Sequence, residues 1–193
     1  TADFMGTNQD YWGNSDGSTT FYYSNDGSAL SNFSACESYT PKRRDGARGF
    51  RLFLESRGYT VTANYNQYIA EQGLTYGFTY DQYKAEIDAG RPVMIQVEGH
   101  TMLGVGYDNT STTIYIHDTW DHSQHSMTWA GVYYNGSTPM QHYGVGVFQI
   151  ETTQTTNAPS FSPAGGTYTS AQSCTLSVTS PPTSGTTTIR YTT

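Results

Sequence analysis

The sequence predicts an α+β fold, with helices first, an antiparallel sheet after them, and a partial all-β sandwich at the C-terminal end. Three observations carry this. Helical spacing with N-terminal caps is confined to the first ninety residues, and strand-like alternation punctuated by turns fills residues 92–150. From Glu151 onward the composition shifts to Thr, Asn, Ser, Pro and Gly with little apolar surface.

The elements follow in order. Ala2–Met5 reads as the tail of a helix, and Thr7–Asp26, with Asn, Asp, Gly and Ser recurring, reads as an ordered loop. Asp45–Arg57 carries Ala47, Phe50, Phe53 and Leu54 at helical spacing, opens on an Asp N-cap and stops at Gly58. Tyr59–Tyr65 alternates as a strand does. Thr79-Tyr80-Asp81-Gln82 is a capping box, so a second helix is expected over about Tyr80–Ala89, ended by Gly90 and Pro92. Strands are then expected at Pro92–Val97, Thr101–Tyr107 and Thr113–Asp118, the last two joined as a hairpin by Asn109–Thr112. Met127–Tyr134 and Gly144–Ile150 are also strand-like. Residues 1–151 therefore read as one domain, 152–158 as a linker, and 159–193 as part of a second module with short strands at Ser173–Val178 and Thr187–Tyr191.

Composition narrows the function classes. Only 29 of 193 residues are Leu, Ile, Val or Phe, but 17 Tyr and 3 Trp supply large surfaces to bury, and charged residues are 13%. This is a folded chain built on tyrosine. A net charge of −7 with nine Lys and Arg offers no electrostatic footprint for nucleic acid. No apolar run approaches the ~20 residues a membrane helix needs, since even Pro92–Val97 contains Gln96. Two cysteines, Cys36 and Cys174, make no disulfide framework.

The chemistry-bearing residues sit around the predicted hairpin. With its centre near Asn109 or Thr110, position 100 lies opposite 118 or 120, and even offsets keep side chains on one face. His100 and Asp118 are thus expected as cross-strand neighbours at the open end. There a carboxylate can hold one imidazole nitrogen as N–H and leave the other to take a proton from a nucleophile. The same pair, read structurally, simply pins two strands.

Other constellations are weaker. His117, Asp118, Asp121, His122 and His125 crowd into nine residues, but their spacing matches no strong metal signature. They read instead as a loop capping a cleft with Trp120 and Trp129 beneath it, and neither metal nor cofactor is expected. Glu86 and Asp88, at i and i+2 on a helix surface, face different directions and make no glycosidase pair. Glu98 is close enough to His100 to shape its electrostatics. The tyrosines read as core and surface filling before they read as a sugar-binding platform. Glu37 beside Cys36 raises rather than lowers a thiol pKa, so Cys36 is a poor nucleophile, and Cys174 lies in the second module.

Gly90-Arg91-Pro92-Val93, Gly99-His100, Gly106-Tyr107-Asp108 and His117-Asp118-Thr119-Trp120 together resemble the C39-like branch of the papain-like cysteine peptidases, over Ala2 to about Ile150. The resemblance implies a papain-like fold, a peptide or protein substrate, His100 as general base and Asp118 as its orienter. It also places the nucleophilic Cys, and a Gln that helps form the oxyanion hole, before Thr1, because Ala2–Thr7 is similar to the segment that follows the catalytic helix. The 193 residues are accordingly expected to lack their nucleophile and to be inactive as they stand. The stretches Pro159–Tyr168, Thr175–Ser177 and Thr188–Thr193 are similar to the chitobiase/β-hexosaminidase C-terminal-type repeat, an Ig-like spacer. With the low charge and abundant Thr, Ser, Asn and Gly, this implies a secreted bacterial protein at the cell surface or outside the cell. The rival expectation is a non-catalytic binding or adhesion module on the same fold.

Overall fold

The computed structural model describes residues 2–7, 17–34, 44–151 and 160–177. The chain divides into two compact units, Thr1–Glu151 and Thr152–Thr193.

In the first unit, α1 (Ala2–Met5) and α2 (Gly46–Ser56) precede the sheet strands. Asp45 starts α2 as the sequence predicts, its Oδ1 accepting the N–H groups of Ala47 and Arg48 at 2.8 and 3.2 Å. The other carboxylate oxygen, Oδ2, accepts the N–H of Tyr22 and the Nδ2–H of Asn66 at 2.8 and 3.0 Å, so one buried side chain ties a helix, a loop and a strand. The apolar face of α2 sets Phe50 edge-on against Phe148 of the sheet. Gly49 lets α1 cross at close range, since a Cβ there would stand 2.5 Å from Met5 Cα.

The strands are β1 (Val61–Tyr68), β2 (Val93–Val97), β3 (His100–Tyr107), β4 (Thr113–His117), β5 (His125–Thr128), β6 (Val132–Asn135) and β7 (Thr138–Ile150). All pairs are antiparallel, in the order β1-β7-β2-β3-β4-β5, with β6 pairing β7 outside that path. Between β1 and β2 lie a short 3-10 turn, Ala70–Gln72, and α3 (Tyr80–Asp88). Both bonds of the predicted capping box at Thr79 and Gln82 are present. Tyr83 of α3 is fully buried against the sheet, and its hydroxyl donates to Gly106 O at 2.9 Å. Around it Phe78, Tyr80 and Trp129 form an aromatic cluster over Val93, Ile95 and Ile116.

The structure of the first unit differs from the sequence reading in several of its elements. Met127–Tyr134 is not one strand: Ala130, at φ 60°, breaks it into the end of β5 and β6. A residue in the left-handed region cannot continue a pleat. Strand β7 begins at Thr138, six residues before the alternation suggested, because it pairs first with β6 and then with β2 and β1. Glu86 is buried, not a surface carboxylate; it takes Arg91 in a two-point ion pair at 2.6 and 3.1 Å and accepts Gln149 Nε2–H at 2.8 Å.

The second unit contains β8 (Ser160–Ser162) paired antiparallel with β9 (Thr175–Ser177). Strand β8 was not foreseen, β9 falls within the predicted Ser173–Val178, and Thr187–Tyr191 lies outside the described residues. No helix among the described residues is long and apolar enough to cross a membrane.

Candidate active site

Two turns build the site. Glu98 and Gly99 form a two-residue turn between β2 and β3, with Gly99 at φ 75°, and this places His100 as the first residue of β3, paired with Val97. Strands β3 and β4 pair Leu103 with His117, the last residue of β4, after a bulge between Gly104 and Gly106 shifts the register by one, and the chain then turns at Thr119, φ 72°. Residues 100 and 118 are therefore brought together.

The atoms that meet are specific. His100 Nε2 lies 2.6 Å from the main-chain oxygen of Asp118. A carbonyl only accepts, so Nε2 carries the proton and Nδ1 holds the lone pair of the neutral ring. Thr119 Oγ1 is 3.3 Å from the same Nε2. The Asp118 carboxylate is turned elsewhere: Oδ2 accepts the Tyr133 hydroxyl at 2.8 Å, and Oδ1 accepts the Trp120 N–H at 3.1 Å. Asp118 is only 4% exposed. Burial pushes its pKa up, but the bonds from Tyr133 and Trp120 and the proximity of His125 outweigh that and hold it below the ordinary carboxylate range. Tyr133 is raised to about 12 by burial and by its bond to Asp118, so it stays a donor.

Trp120 does not pack beneath a loop, as its sequence context suggests. It is 47% exposed and stacks face to face on His100, with centroids 4.2 Å apart and planes 10° from parallel. Trp129 is the buried one, with its indole N–H on Glu71 at 3.1 Å.

Of the five His and Asp residues in the 117–125 segment, three converge. Asp118, Asp121 and His125 present potential ligand atoms within 4.8 Å of one another, with His125 Nε2 3.1 Å from Asp121 Oδ1 and 3.5 Å from Asp118 Oδ2. His117 faces away and meets Ser123 O. Beside Asp118, Tyr115, Gln124, His125, Ser126 and Tyr133 line a depression of about 420 Å³. Glu98 stays at the β2–β3 turn, where its N–H donates to Gln141 O at 3.0 Å.

The family model of the Peptidase_C39 like family matches residues 7–137. The chain belongs to the Peptidase_C39-like family. The match covers both turns of the site and all of β1 through β6, leaving β7 outside it. No curated protein and no solved structure matches this C39-like chain significantly. Membership gives the domain a peptidase-related function and a protein substrate class, in keeping with its mixed fold of few helices on an antiparallel sheet.

Sequence reasoning missed Tyr133 and His142. Tyr133 was absorbed into an apparent strand, and the only clue was an aromatic with a hydroxyl at a strand end. His142 is fully buried in β7; its Nδ1 accepts Ala130 N–H, its Nε2–H donates to Gly144 O, both at 3.2 Å, and its ring stands edge-on to Trp129. Burial lowers its pKa to about 4. Of the cysteines, Cys36 lies outside the described residues and Cys174 is exposed in the second unit.

Proposed function

We propose that residues 1–151 carry the base-and-orienter half of a cysteine-peptidase active site, with His100 as general base and Asp118 as the residue that orients it. The observation supporting this most directly is the 2.6 Å bond from His100 Nε2–H to Asp118 O. It fixes the tautomer in which Nδ1 takes protons, and Nδ1 has no hydrogen-bond partner among the described residues. Nδ1 removes the thiol proton of a cysteine, the thiolate attacks the peptide carbonyl carbon, and the imidazolium returns the proton to the leaving amine as the C–N bond breaks. Water, deprotonated by the same nitrogen, then hydrolyses the thioester. The Trp120 face stacked on the ring covers it and keeps water from that side.

The described residues of the first unit contain no cysteine. The nucleophile in this reading is the cysteine that the family resemblance places on the helix preceding the Ala2–Thr7 segment. The protein is secreted, and residues 159–193 serve as part of an Ig-like spacer.

Iodoacetamide labelling of the full-length protein tests the reading. One cysteine is expected to alkylate far faster than a free thiol, and His100→Ala is expected to slow it about a hundredfold, the usual scale of general-base assistance. Uniform, slow labelling that His100→Ala leaves unchanged overturns the peptidase and favours the binding module.

A further inference from the structure

We infer that Tyr133 is a positioning residue for His100: its hydroxyl anchors the Asp118 carboxylate, and the turn so anchored presents the main-chain carbonyl that orients the imidazole. The inference rests on the assignment of His100 as the base, and it names a residue in β6 that does not touch substrate or nucleophile.

The geometry leaves the carboxylate no part in holding the ring. Both of its oxygens are engaged, Oδ2 by Tyr133 at 2.8 Å and Oδ1 by the Trp120 N–H at 3.1 Å, while His100 is met by the carbonyl of the same residue. His125 also approaches Oδ2, but from 3.5 Å and with Asp121 closer to it. The turn needs an anchor because Thr119, between Asp118 and Trp120, sits at φ 72°, a left-handed conformation that a β-branched residue adopts only under constraint. Released from that constraint, Thr119 relaxes toward negative φ and swings the Asp118 carbonyl off Nε2.

Tyr133 is itself firmly placed. It pairs with Met140 across the β6–β7 ladder, so its Cα is fixed by the sheet and not by the 118–125 segment it restrains. Its ring lies nearly parallel to Trp120, 14° apart at 6.4 Å between centroids, and Trp120 in turn stacks on His100. One side chain thus backs the indole that covers the imidazole and holds the carboxylate whose backbone orients it. Because its pKa is about 12, Tyr133 remains a donor through neutral and moderately alkaline pH.

The test reads the His100 ring directly, in this chain, by long-range proton–nitrogen NMR of nitrogen-15-labelled histidine. It needs no nucleophile, so it stands apart from the labelling experiment: failure of one does not entail failure of the other. In the wild type the Nε2–H tautomer is expected to dominate. Tyr133→Phe keeps the ring stack and removes only the hydroxyl, and it is expected to lower the Nε2–H to Nδ1–H ratio about tenfold, the scale of one hydrogen bond. Asp118→Asn leaves the backbone carbonyl in place and keeps one oxygen for the Tyr133 hydroxyl while losing the acceptor for the Trp120 N–H, and it is expected to hold the ratio within about twofold, since the hydroxyl anchor is retained. A wild-type ratio in Tyr133→Phe overturns the inference. So does a tenfold fall in Asp118→Asn, which assigns the anchoring of the turn to the carboxylate charge or to its bond with the Trp120 N–H and not to the Tyr133 hydroxyl; this second variant decides the matter if Tyr133→Phe does not fold.

Discussion

At the scale of single residues, the site depends on which atom of Asp118 faces which neighbour, and the core depends on a comparable detail at Gly104. A Cβ at Gly104 would lie 2.7 Å from the Tyr83 hydroxyl, 2.9 Å from its ring and 3.1 Å from Ile95 Cγ1. Tyr83 has no room to retreat, because it is fully buried and its hydroxyl is held by Gly106 O. Gly104→Ala is therefore expected to destabilise the domain by about 1–3 kcal/mol, the usual cost of overpacking, as read from urea unfolding midpoints. The glycine was visible in the sequence as part of a strand; that a tyrosine from α3 leans on it was not. That His100 and Asp118 lie close was legible from the hairpin between them, but the even offset that puts them on one side was not, because it depends on a bulge between Gly104 and Gly106 that shifts the register by one. The carbonyl contact was not legible, since the left-handed turn at Thr119 that produces it breaks the rule for its residue type.

At the scale of elements, local chemistry is most informative where it is self-contained. The capping box of α3 satisfies its own orphan donors within four residues, Thr79 Oγ1 accepting Gln82 N–H at 3.2 Å and Gln82 Oε1 accepting Thr79 N–H at 2.8 Å. Thr79→Ala is expected to cost about 1 kcal/mol, measurable as a lower urea midpoint with an unchanged slope. Strands β5, β6 and β7 show the opposite case. Their limits follow from partners far away in sequence, so β7 runs through Thr138–Gln141 only because β6 is there to pair with it. Tyr133 belongs to that hidden part: its position follows from pairing with Met140, and its role follows from the reach of its hydroxyl to Asp118.

At the scale of the whole molecule, two buried titratable groups outside the site shape stability against pH, and they pull in opposite directions. His142 titrates near 4 in the folded chain because burial disfavours its charge, against about 6.5 unfolded. Between those values the unfolded state binds more protons, so stability is lost as pH falls from about 6.5 to 4. Asp45 is raised to about 6 by burial, which exceeds the lowering from its bonds to Tyr22, Arg48, Ala47 and Asn66. Here the folded state binds more protons between about 4 and 6, so its contribution is lost as pH rises through that window. The two largely cancel in the wild type. In His142→Gln the first disappears, and the stability difference between wild type and variant is expected to shrink by about 3 kcal/mol from pH 7 to pH 4; guanidinium titrations at several pH values give that difference directly. An unchanged difference refutes the assignment of a neutral, buried His142.

The sequence alone determined the class of the fold, the helix N-caps at Asp45 and Thr79, the β3–β4 hairpin and the neighbourhood of residues 100 and 118. Each follows from spacing within a short stretch, where period and cap chemistry act over a few residues. Only the tertiary structure decided that Trp120 covers His100, that the Asp118 carboxylate belongs to Tyr133, and that Glu86 and His142 are buried. Those outcomes depend on where buried polar groups find their partners, and a buried group takes the nearest available donor or acceptor in space regardless of its distance along the chain.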